Sequence, residues 1–400
     1  MVMDTTIKKG YKQTEIGIIP EDWDLKRLGD IGDSIIGLTY SPNEVASYGK
    51  LVHRSSNIQN NQLSYYDNVY VNKSINKKLI LKENDILICV RNGSQDLIGK
   101  SALIKGKSVG ETFGAFMSVF RSDKFQPFIF YLILSNLIQR QINQSLGATI
   151  NQITNKTLNN FQIPYPPKLG EQTAIATILS DNDALIESLG KLIAKKKTIK
   201  QGLMQQLLTG KKRLPGFSGE WETKLFGSLI EVNKGHQLNK SELTATGEYP
   251  DWNGGIEPSG YTTKWNMFEN TITISEGGNS CGFVNYCKQK FWCGGHCYAL
   301  KITNANIDKI FLYQLLKFKE KFIMSLRIGS GLPNIQKKNL NEFKLFIPKE
   351  SQEQTAIAAV LSDMDAEIES LKQKRDKYNM LKQGMMQQLL TGRIRIYANK

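Results

Sequence analysis

The stretch EQTAIATILSDNDALIESLGKLIAKKKTIKQGLMQQLLTGKKRL, which begins at Glu171, occurs a second time in the chain. The second copy, EQTAIAAVLSDMDAEIESLKQKRDKYNMLKQGMMQQLLTGRIRI, begins at Glu353, an offset of 182 residues (353 minus 171) with no gap. Direct comparison finds 27 identities in the 44 aligned positions. This agreement indicates an internal duplication, and a duplication takes precedence over local predictions of structure.

Both copies have the periodicity of a long amphipathic helix. Their apolar residues recur at steps of three, four and seven, which places them on one helix face. This stripe consists of Ile175, Leu179, Ile186, Leu189 and Ile193 in the first copy and of Ile357, Leu361, Ile368 and Leu371 in the second. Because the stripes are long, narrow and matched, each helix is the simplest packing partner of the other. We predict an antiparallel coiled coil with helices about 55 Å long.

The segments outside the repeats form two blocks that have diverged from each other. Each block contains a strand-like run that leads into a turn and an apolar run at helical spacing. These runs are LKENDILICVRNGS (from Leu81), NTITISEGGNS (from Asn270), FIFYLILSNLIQRQI (from Phe128) and IFLYQLLKFKEKFI (from Ile310). A duplication in which one part stayed similar and the other diverged indicates a shared architecture with two different specificities.

The predicted fold is therefore α+β, with two mixed α/β domains separated by two long helices and related by a pseudo-twofold internal repeat. The predicted segments are a first domain over residues 1–170, a central helix over 171–210, a second domain over 211–352, and a distal helix with the C-terminal tail over 353–400. A chain of 400 residues exceeds what one hydrophobic core usually organises, which agrees with this division.

The formal charge of +15 favours a polyanionic partner: nucleic acid first, then a membrane surface, then an acidic protein. The alternative explanation of this charge is that it keeps the protein soluble. No apolar run approaches the roughly twenty residues that span a bilayer, so we expect no membrane segment. The N-terminal residues lack the apolar stretch of a signal peptide, and five cysteines are too few for a disulfide scaffold. We expect a cytoplasmic protein.

Two candidate motifs for nucleotide or cofactor chemistry do not match their consensus patterns. The run GSQDLIGKS from Gly93 has five residues between its glycines, whereas a phosphate-binding loop needs four for its backbone N–H groups to close around the phosphate. Tyr165-Pro-Pro-Lys168 lacks the Asn or Asp that begins the Asn/Asp-Pro-Pro-aromatic tetrad of a methyltransferase. Neither His53 nor His236 has a partner pattern for acid–base work. The sequence predicts no catalytic residues.

Four cysteines and a histidine are crowded into seventeen residues of the second block: Cys281, Cys287, Cys293, His296 and Cys297. Structural zinc sites use ligands paired at two to four residues, and this spacing does not match. A zinc site and buried strand cysteines beside Phe291 and Trp292 are the two explanations, and we predict the second, with no metal bound.

Polar residues suited to base edges and phosphates follow the predicted strands and turns of both blocks. Arginine matches guanine, asparagine matches adenine, and backbone N–H groups in glycine-rich loops bind phosphate. Taken singly, each cluster is explained as an ordinary turn, but their recurrence in a basic, duplicated chain favours DNA. The candidate DNA-binding residues are Arg54, Ser56, Asn57, Arg91, Asn92 and Ser94 in the first block and Trp252, Asn253 and Asn279 in the second.

With these features the chain resembles the specificity subunits of type I restriction–modification enzymes. The resemblance depends on EQTAIA and on LMQQLLTG or MMQQLLTG at the two ends of each repeated helix, and on the alternation of variable and constant segments. It covers essentially the whole chain. Weaker similarities lie in NDILICVRNGSQDLIGKS of the first block and TISEGGNSCGFVNY of the second.

The resemblance implies that each variable block is a target-recognition domain for one half of a split, asymmetric site in double-stranded DNA. It implies that the two helices set the spacing between the halves and dock two methyltransferase (modification) subunits, which restriction/translocase subunits then join. S-adenosylmethionine, ATP and magnesium are expected on those partner subunits and no cofactor on this chain. A freestanding DNA methyltransferase and a DNA-binding regulator are the alternatives. A regulator would favour a palindrome, whereas two diverged domains favour an asymmetric site.

An insertion tests the helices as spacers between the recognition domains. Four residues added after Lys195 advance the helix by roughly 6 Å and about 400°, so the apolar stripe stays nearly in line. Since DNA rises about 3.4 Å per base pair, methylation mapping should show a spacer longer by one or two base pairs and unchanged half-sites. Two added residues rotate the stripe by about 200° and should abolish assembly with the modification subunits. An unchanged spacer in the four-residue variant contradicts the hypothesis.

Overall fold

The computed structural model describes residues 7–147, 151–329, 331 and 333–396. Its contacts divide the chain into two compact units. The first unit combines the residues up to Ser188 with those from Arg375 onward, and the second runs from Leu189 to Lys374. Each unit therefore holds one globular block and a part of both repeated helices. No helix among the described residues is long and apolar enough to cross a bilayer.

The globular block of the first unit begins with strands and continues with helices that cover them. Its strands are β1 Tyr11–Thr14, β2 Gly17–Pro20, β3 Asp24–Arg27, β4 Asp33–Ile36, β5 Val45–Ala46, β6 Lys50–His53, β7 Ile58–Gln59, β8 Gln62–Leu63, β9 Tyr70–Val71, β10 Ile86–Cys89, β11 Ser101–Leu103, β12 Thr112–Phe113, β13 Met117–Arg121 and β14 Gln162–Tyr165. Its helices are α1 Gln126–Ile133, α2 Asn136–Ser145 and α3 Asn155–Asn159, and the long central helix follows as α4 Leu169–Leu207.

The second unit repeats this order. Its strands are β15 Trp221–Leu225, β16 Ile230–Lys234, β17 Tyr249–Trp252, β18 Gly260–Thr262, β19 Thr271–Ser275, β20 Val284–Cys287, β21 Trp292–Cys293, β22 Cys297–Ile302 and β23 Lys344–Pro348. Its helices are α5 Phe226–Leu229, α6 Lys309–Phe318, α7 Glu320–Ser325 and α8 Lys337–Asn341, and the long distal helix is α9 Ser351–Leu389.

The main sheet has the same strand order in the two units, whereas the smaller sheet has four strands in the first (β12-β6-β9-β5) and three in the second (β18-β17-β21). An antiparallel sheet has the order β11-β10-β13-β4 in the first unit and β20-β19-β22-β16 in the second. A smaller sheet contains one parallel pair, β12 with β6 and β21 with β17. A two-stranded ribbon, β3 with β14 and β15 with β23, precedes each long helix. The divergent blocks thus share one core fold.

The apolar helical runs in the blocks are helices, as predicted, although each run is divided in two. The first divides at Ser135, whose hydroxyl accepts from the N–H of Ile138 and so caps a new helix. The second divides at Lys319, between α6 and α7. The buried faces of α1 and α6 carry aromatic and aliphatic residues such as Phe128 and Phe311, which are fully buried in the core of their own unit.

Within each unit the two long helices run antiparallel, because the partner's residue number falls as the number rises along α4. From Glu171 to Asn182 the partner changes from Arg395 to Tyr378, and from Lys196 to Lys200 it changes from Glu367 to Asp365. In the first unit, Asn182 donates to the carbonyl of Tyr378 at 3.3 Å, and Asp183 pairs with Lys382 at 2.6 Å. In the second, Lys196 pairs with Glu367 at 2.6 Å and Lys200 with Asp365 at 2.6 Å. The predicted antiparallel arrangement is confirmed. Most of the predicted stripe is buried, namely Ile175, Leu179, Leu189, Ile193, Ile357, Leu361 and Ile368, whereas Ile186 and Leu371 are half-buried.

In the first unit a buried ion pair joins the first turn of α4 to the segment that follows α9. Glu171, in the first turn of α4, is buried and binds the guanidinium of Arg395 at 2.6 and 2.9 Å. The same guanidinium binds Asp22 at 2.7 and 2.9 Å and lies 5.6 Å from the ring of Trp23. Its hydrogen bonds to Glu171 and then to Asp22 raise the pKa of Arg395. We call Asp22, Trp23, Glu171 and Arg395 the first junction.

The second unit contains the equivalent arrangement. Glu353, in the first turn of α9, is buried and binds Arg213 at 2.5 and 2.6 Å, and this guanidinium lies 5.8 Å from the ring of Trp221. We call Trp221, Glu353 and Arg213 the second junction. The glutamates and the arginines of the two junctions are each 182 residues apart in the chain. Each glutamate at the start of one long helix therefore pairs with the arginine that follows the end of the other.

Replacing Arg395 with alanine should destabilise the first unit, because it leaves the buried carboxylate of Glu171 without its guanidinium. The loss of a partner from such a pair costs about 3–5 kcal/mol of unfolding free energy. We expect a lower Tm and faster hydrogen exchange in β1, β2 and the first turn of α4. Arg393→Ala, which removes an exposed side chain two residues away, is the control. Equal effects of the two substitutions would contradict the role of the junction.

Candidate nucleic-acid interface

Two of the loops predicted to contact DNA lie together in the first unit. One follows β6 and begins at Arg54, and the other follows β10 and contains Asn92. The side-chain amide of Asn92 donates to the hydroxyl of Ser55 at 3.1 Å and accepts from the N–H of Ser94 at 3.1 Å. Loops that the sequence separates by nearly forty residues therefore form one surface.

Asn57 has a supporting role in this surface. Its side chain is fully buried, accepts from the N–H of Arg54 at 2.9 Å, and donates to the carbonyls of Ser64 at 3.2 Å and Asp67 at 3.1 Å. These bonds join the loop after β6 to the segment before β9. The amide of Asn57 is thus enclosed by its own loops, whereas Ser56 beside it is half-buried.

Arg54 lines an open cavity of about 570 Å³. Its Nη2 atom donates to the carboxylate of Asp67 at 2.7 Å and to the carbonyl of the same residue at 3.2 Å. The cavity wall is completed by Tyr40, Ser56, Ala115 and Phe116. The Phe116 ring is 55% exposed, and the exposed guanidinium of Arg91 lies 5.1 Å from its centre. The arrangement offers hydrogen-bond donors beside an apolar face, a combination that suits nucleic acid.

In the second unit, Asn253 stands at the end of β17. Its Nδ2 atom donates to Oε1 of Gln237 at 3.1 Å, and its Oδ1 atom accepts from the N–H of His296 at 3.0 Å. Trp252 is half-buried and packs against a cluster of cysteines, whereas Asn279 is exposed in the turn after β19. The three residues predicted here thus differ in how far they face solvent.

The candidate DNA-binding loops of the two units have matching backbone hydrogen bonds. The N–H of Gly114 donates to the carbonyl of His53 at 3.0 Å, and the N–H of Gly294 donates to that of Trp252 at 2.9 Å. Arg54 and Asn253, the next residues along the chain, therefore occupy equivalent positions. Likewise, Val90 donates to the carbonyl of Phe116 at 3.0 Å and Glu276 to that of His296 at 2.8 Å, so Phe116 and His296 are also equivalent.

Aromatic and basic residues near these loops were missed by the sequence analysis. In the second unit Lys290 lies 4.3 Å from the ring centre of Trp265, which itself packs 4.9 Å from the exposed Phe268. In the first unit Lys107 lies 3.5 Å from the ring centre of Tyr65. The lysines and the aromatic residues come from different segments of the chain, so no local motif indicates them.

The cysteines of the second unit are free and buried. Cys287, Cys293 and Cys297 lie in strands and share an apolar cluster with Phe291, as predicted. Cys281 is also buried, but it lies in the turn after β19 and belongs to the main core of the unit. Burial raises the pKa of the Cys287 thiol to about 12. Over the described ranges, no group of three or more His, Cys, Asp or Glu residues is arranged to hold a metal ion.

Two buried ionisable groups lie in the equivalent strands β6 and β17. Neither ring nitrogen of His53 and neither carboxylate oxygen of Asp251 has a hydrogen-bond partner among the described residues. Burial lowers the pKa of His53 to about 4 and raises that of Asp251 to about 6. The ionised carboxylate of Asp251 therefore destabilises the folded protein at neutral pH, because its ionisation costs more free energy inside the protein than in the unfolded chain.

Asp251→Asn should stabilise the second unit at neutral pH. The unfolded carboxyl group ionises near its ordinary pKa of 3.8 and the folded one near 6, so the native stability falls as pH rises between these values. An asparagine side chain does not ionise, so the variant avoids this loss of stability. Its unfolding free energy should exceed that of the wild type by up to about 3 kcal/mol above pH 7, and the difference should disappear below pH 4. Unfolding in urea at several pH values measures it, with the exposed Glu257→Gln as control. A gain independent of pH would disprove the assignment.

Comparison with known proteins gives a consistent result along the chain. The profile of the type I restriction modification DNA specificity domain matches residues 20–198 and 218–379. The chain is 29% identical over 420 residues to a putative type I restriction enzyme MjaX specificity subunit of Methanocaldococcus jannaschii, covering 97% of both proteins. It is 39% identical over 155 residues to a putative type I specificity subunit, S.MpnORF638P, of Mycoplasma pneumoniae, covering 38% of this chain and 41% of that protein.

A solved structure has a similar fold. The crystal structure of the S subunit of a type I restriction-modification system from M. genitalium aligns with a TM-score of 0.65 at 20% sequence identity, covering 92% of this chain and 96% of that one. The match of both halves to one domain profile accounts for the duplicated topology of the two units. The chain belongs to the family of DNA specificity subunits of type I restriction–modification systems.

Proposed function

We propose that the chain recognises a bipartite, asymmetric site in double-stranded DNA, one half with each unit. The observation that carries this proposal is that equivalent backbone positions hold different side chains in the two units. Arg54 corresponds to Asn253, and Phe116 to His296. Because arginine and asparagine match different bases, two such surfaces select different half-sites, and the complete site is not a palindrome.

The long helices are proposed to dock two methyltransferase subunits, to which restriction/translocase subunits are added. In each unit the packed helices still expose apolar side chains: Ile178 and Leu185 in the first unit, and Leu192 and Ile199 in the second, are each more than a third exposed. Exposed apolar residues at helical spacing are suited to further helix packing. The wider family supplies the expectation that the covering protein is the modification subunit.

The chain itself is proposed to be non-catalytic and cytoplasmic. The buried His53 and the buried cysteine cluster are both enclosed in apolar surroundings, which suits a structural role better than acid–base or nucleophilic work. S-adenosylmethionine, ATP and magnesium are then bound by the partner subunits. A freestanding methyltransferase would instead retain S-adenosylmethionine on the purified chain, and equilibrium dialysis with the labelled cofactor distinguishes the two.

A domain exchange tests the independence of the two units. Replacing residues 1–166 with the matching block of a relative should change one half-site and leave the other half-site and the spacer unchanged. Exchanging the block between the two long helices is the matched control and should change only the other half-site. Methylation mapping in cells that also carry the modification subunit gives the outcome. A change of both half-sites by either exchange would refute independent recognition.

A further inference from the structure

We infer that the first unit requires a G·C base pair where Arg54 and Asp67 meet the DNA, and that the second unit requires an A·T base pair at the equivalent place, in front of Asn253 and Gln237. This inference rests on the proposed function and names the bases that each half of the site must contain.

The first observation is the fixed direction of the Arg54 side chain. Both of its contacts with Asp67 use Nη2, so Asp67 does not engage the second terminal nitrogen, Nη1. The side chain of Arg54 is 34% exposed and that of Asp67 is 53% exposed, and both line the open cavity beside Phe116. The buried amide of Asn57 holds the N–H of Arg54 and the carbonyl of Asp67, so the two residues keep a constant separation.

This pair complements both members of a G·C base pair. In the major groove guanine presents two acceptors, and these can accept from Nη1, the terminal nitrogen of Arg54 that Asp67 leaves free. Cytosine presents an amino donor, which matches the carboxylate of Asp67. An A·T pair keeps the N7 acceptor but exchanges the other two groups, with a donor in place of O6 and an acceptor in place of the cytosine amino group. The amino group of adenine would face a guanidinium, and the O4 acceptor of thymine would face the carboxylate of Asp67. The charged pair therefore favours one base pair and repels the other.

The equivalent place in the second unit holds two uncharged amides. Nδ2 of Asn253 points to Gln237, and Oδ1 is held by the N–H of His296, so the orientation of the amide is fixed. A Cβ atom at residue 294 would lie 2.5 Å from Oδ1 of Asn253, so Gly294 leaves the space that this side chain occupies. An amide offers a donor and an acceptor together, the pattern that adenine presents at N7 and N6.

The test uses the full-length chain assembled with its modification subunit and a library of duplexes randomised at the half-sites. The wild-type complex should select G·C at one position of the first half-site and A·T at one position of the second. Arg54→Ala should weaken binding to the preferred site about tenfold to a hundredfold and remove the preference at that G·C position alone. Asn253→Ala should relax the A·T position alone.

Two further variants separate base recognition from a merely structural ion pair. Asp67→Asn keeps the shape of the side chain but removes the charge, so it should relax the same position or its neighbour. The matched control is Glu44→Gln, which breaks a surface ion pair of the same unit, that of Lys73 with Glu44 at 2.6 Å. The control should leave every preference unchanged. If Arg54→Ala fails to fold, Arg54→Lys keeps the charge without the planar fork and should still lose the preference.

The outcomes distinguish this inference from the proposed function. If the Arg54 variants weaken binding to all sequences equally and flatten its salt dependence, Arg54 contacts phosphate and the G·C assignment is overturned, while DNA recognition stands. If the Arg54 and Asp67 variants leave the selected sequence unchanged, the assignment also fails. If the wild-type complex selects no bipartite sequence, the proposed function itself fails.

Discussion

The architecture depends on two buried carboxylates, those of Glu171 and Glu353. A carboxylate removed from water is very costly unless a cation and hydrogen bonds replace its hydration, and each of these groups receives an arginine, Arg395 or Arg213. Each arginine comes from the segment that follows the other long helix. The cation that each buried carboxylate needs at the start of one helix therefore comes from the segment after the other helix, which favours the antiparallel register within each unit.

This arrangement explains how the blocks between the helices diverged while the fold remained. The strands are held by backbone hydrogen bonds, which do not depend on side-chain identity, and the main sheet has the same strand order in both units. The matching bonds of Gly114 and Gly294 keep the loop after β6 and the loop after β17 in equivalent positions. Side chains such as Arg54 and Asn253 can then change without disturbing the backbone that carries them.

The sequence alone predicted the features that depend on periodicity and failed on those that depend on distant partners. The long helices and the buried faces followed from the repeat. The supporting role of Asn57 could not be predicted in this way, because its partners Ser64 and Asp67 lie beyond the local turn. Gln237 and His296 likewise come from segments 16 and 43 residues away from Asn253, so no spacing indicates that they orient its amide. All the candidate DNA contacts, the exposed Arg91 and Asn279 among them, remain predictions.

Net charge and local charge act differently in such a molecule. The formal charge of +15 attracts any DNA, and the counterions that binding releases favour every sequence alike. We propose that selectivity comes from the few side chains that their neighbours hold in place, such as Arg54, which is held by Asp67. A fixed ion pair loses little conformational entropy on binding, and it also rejects a base pair of the opposite pattern. Because each junction lies within one unit, the support for each set of recognising side chains is local, and one set can change while the support of the other stays intact.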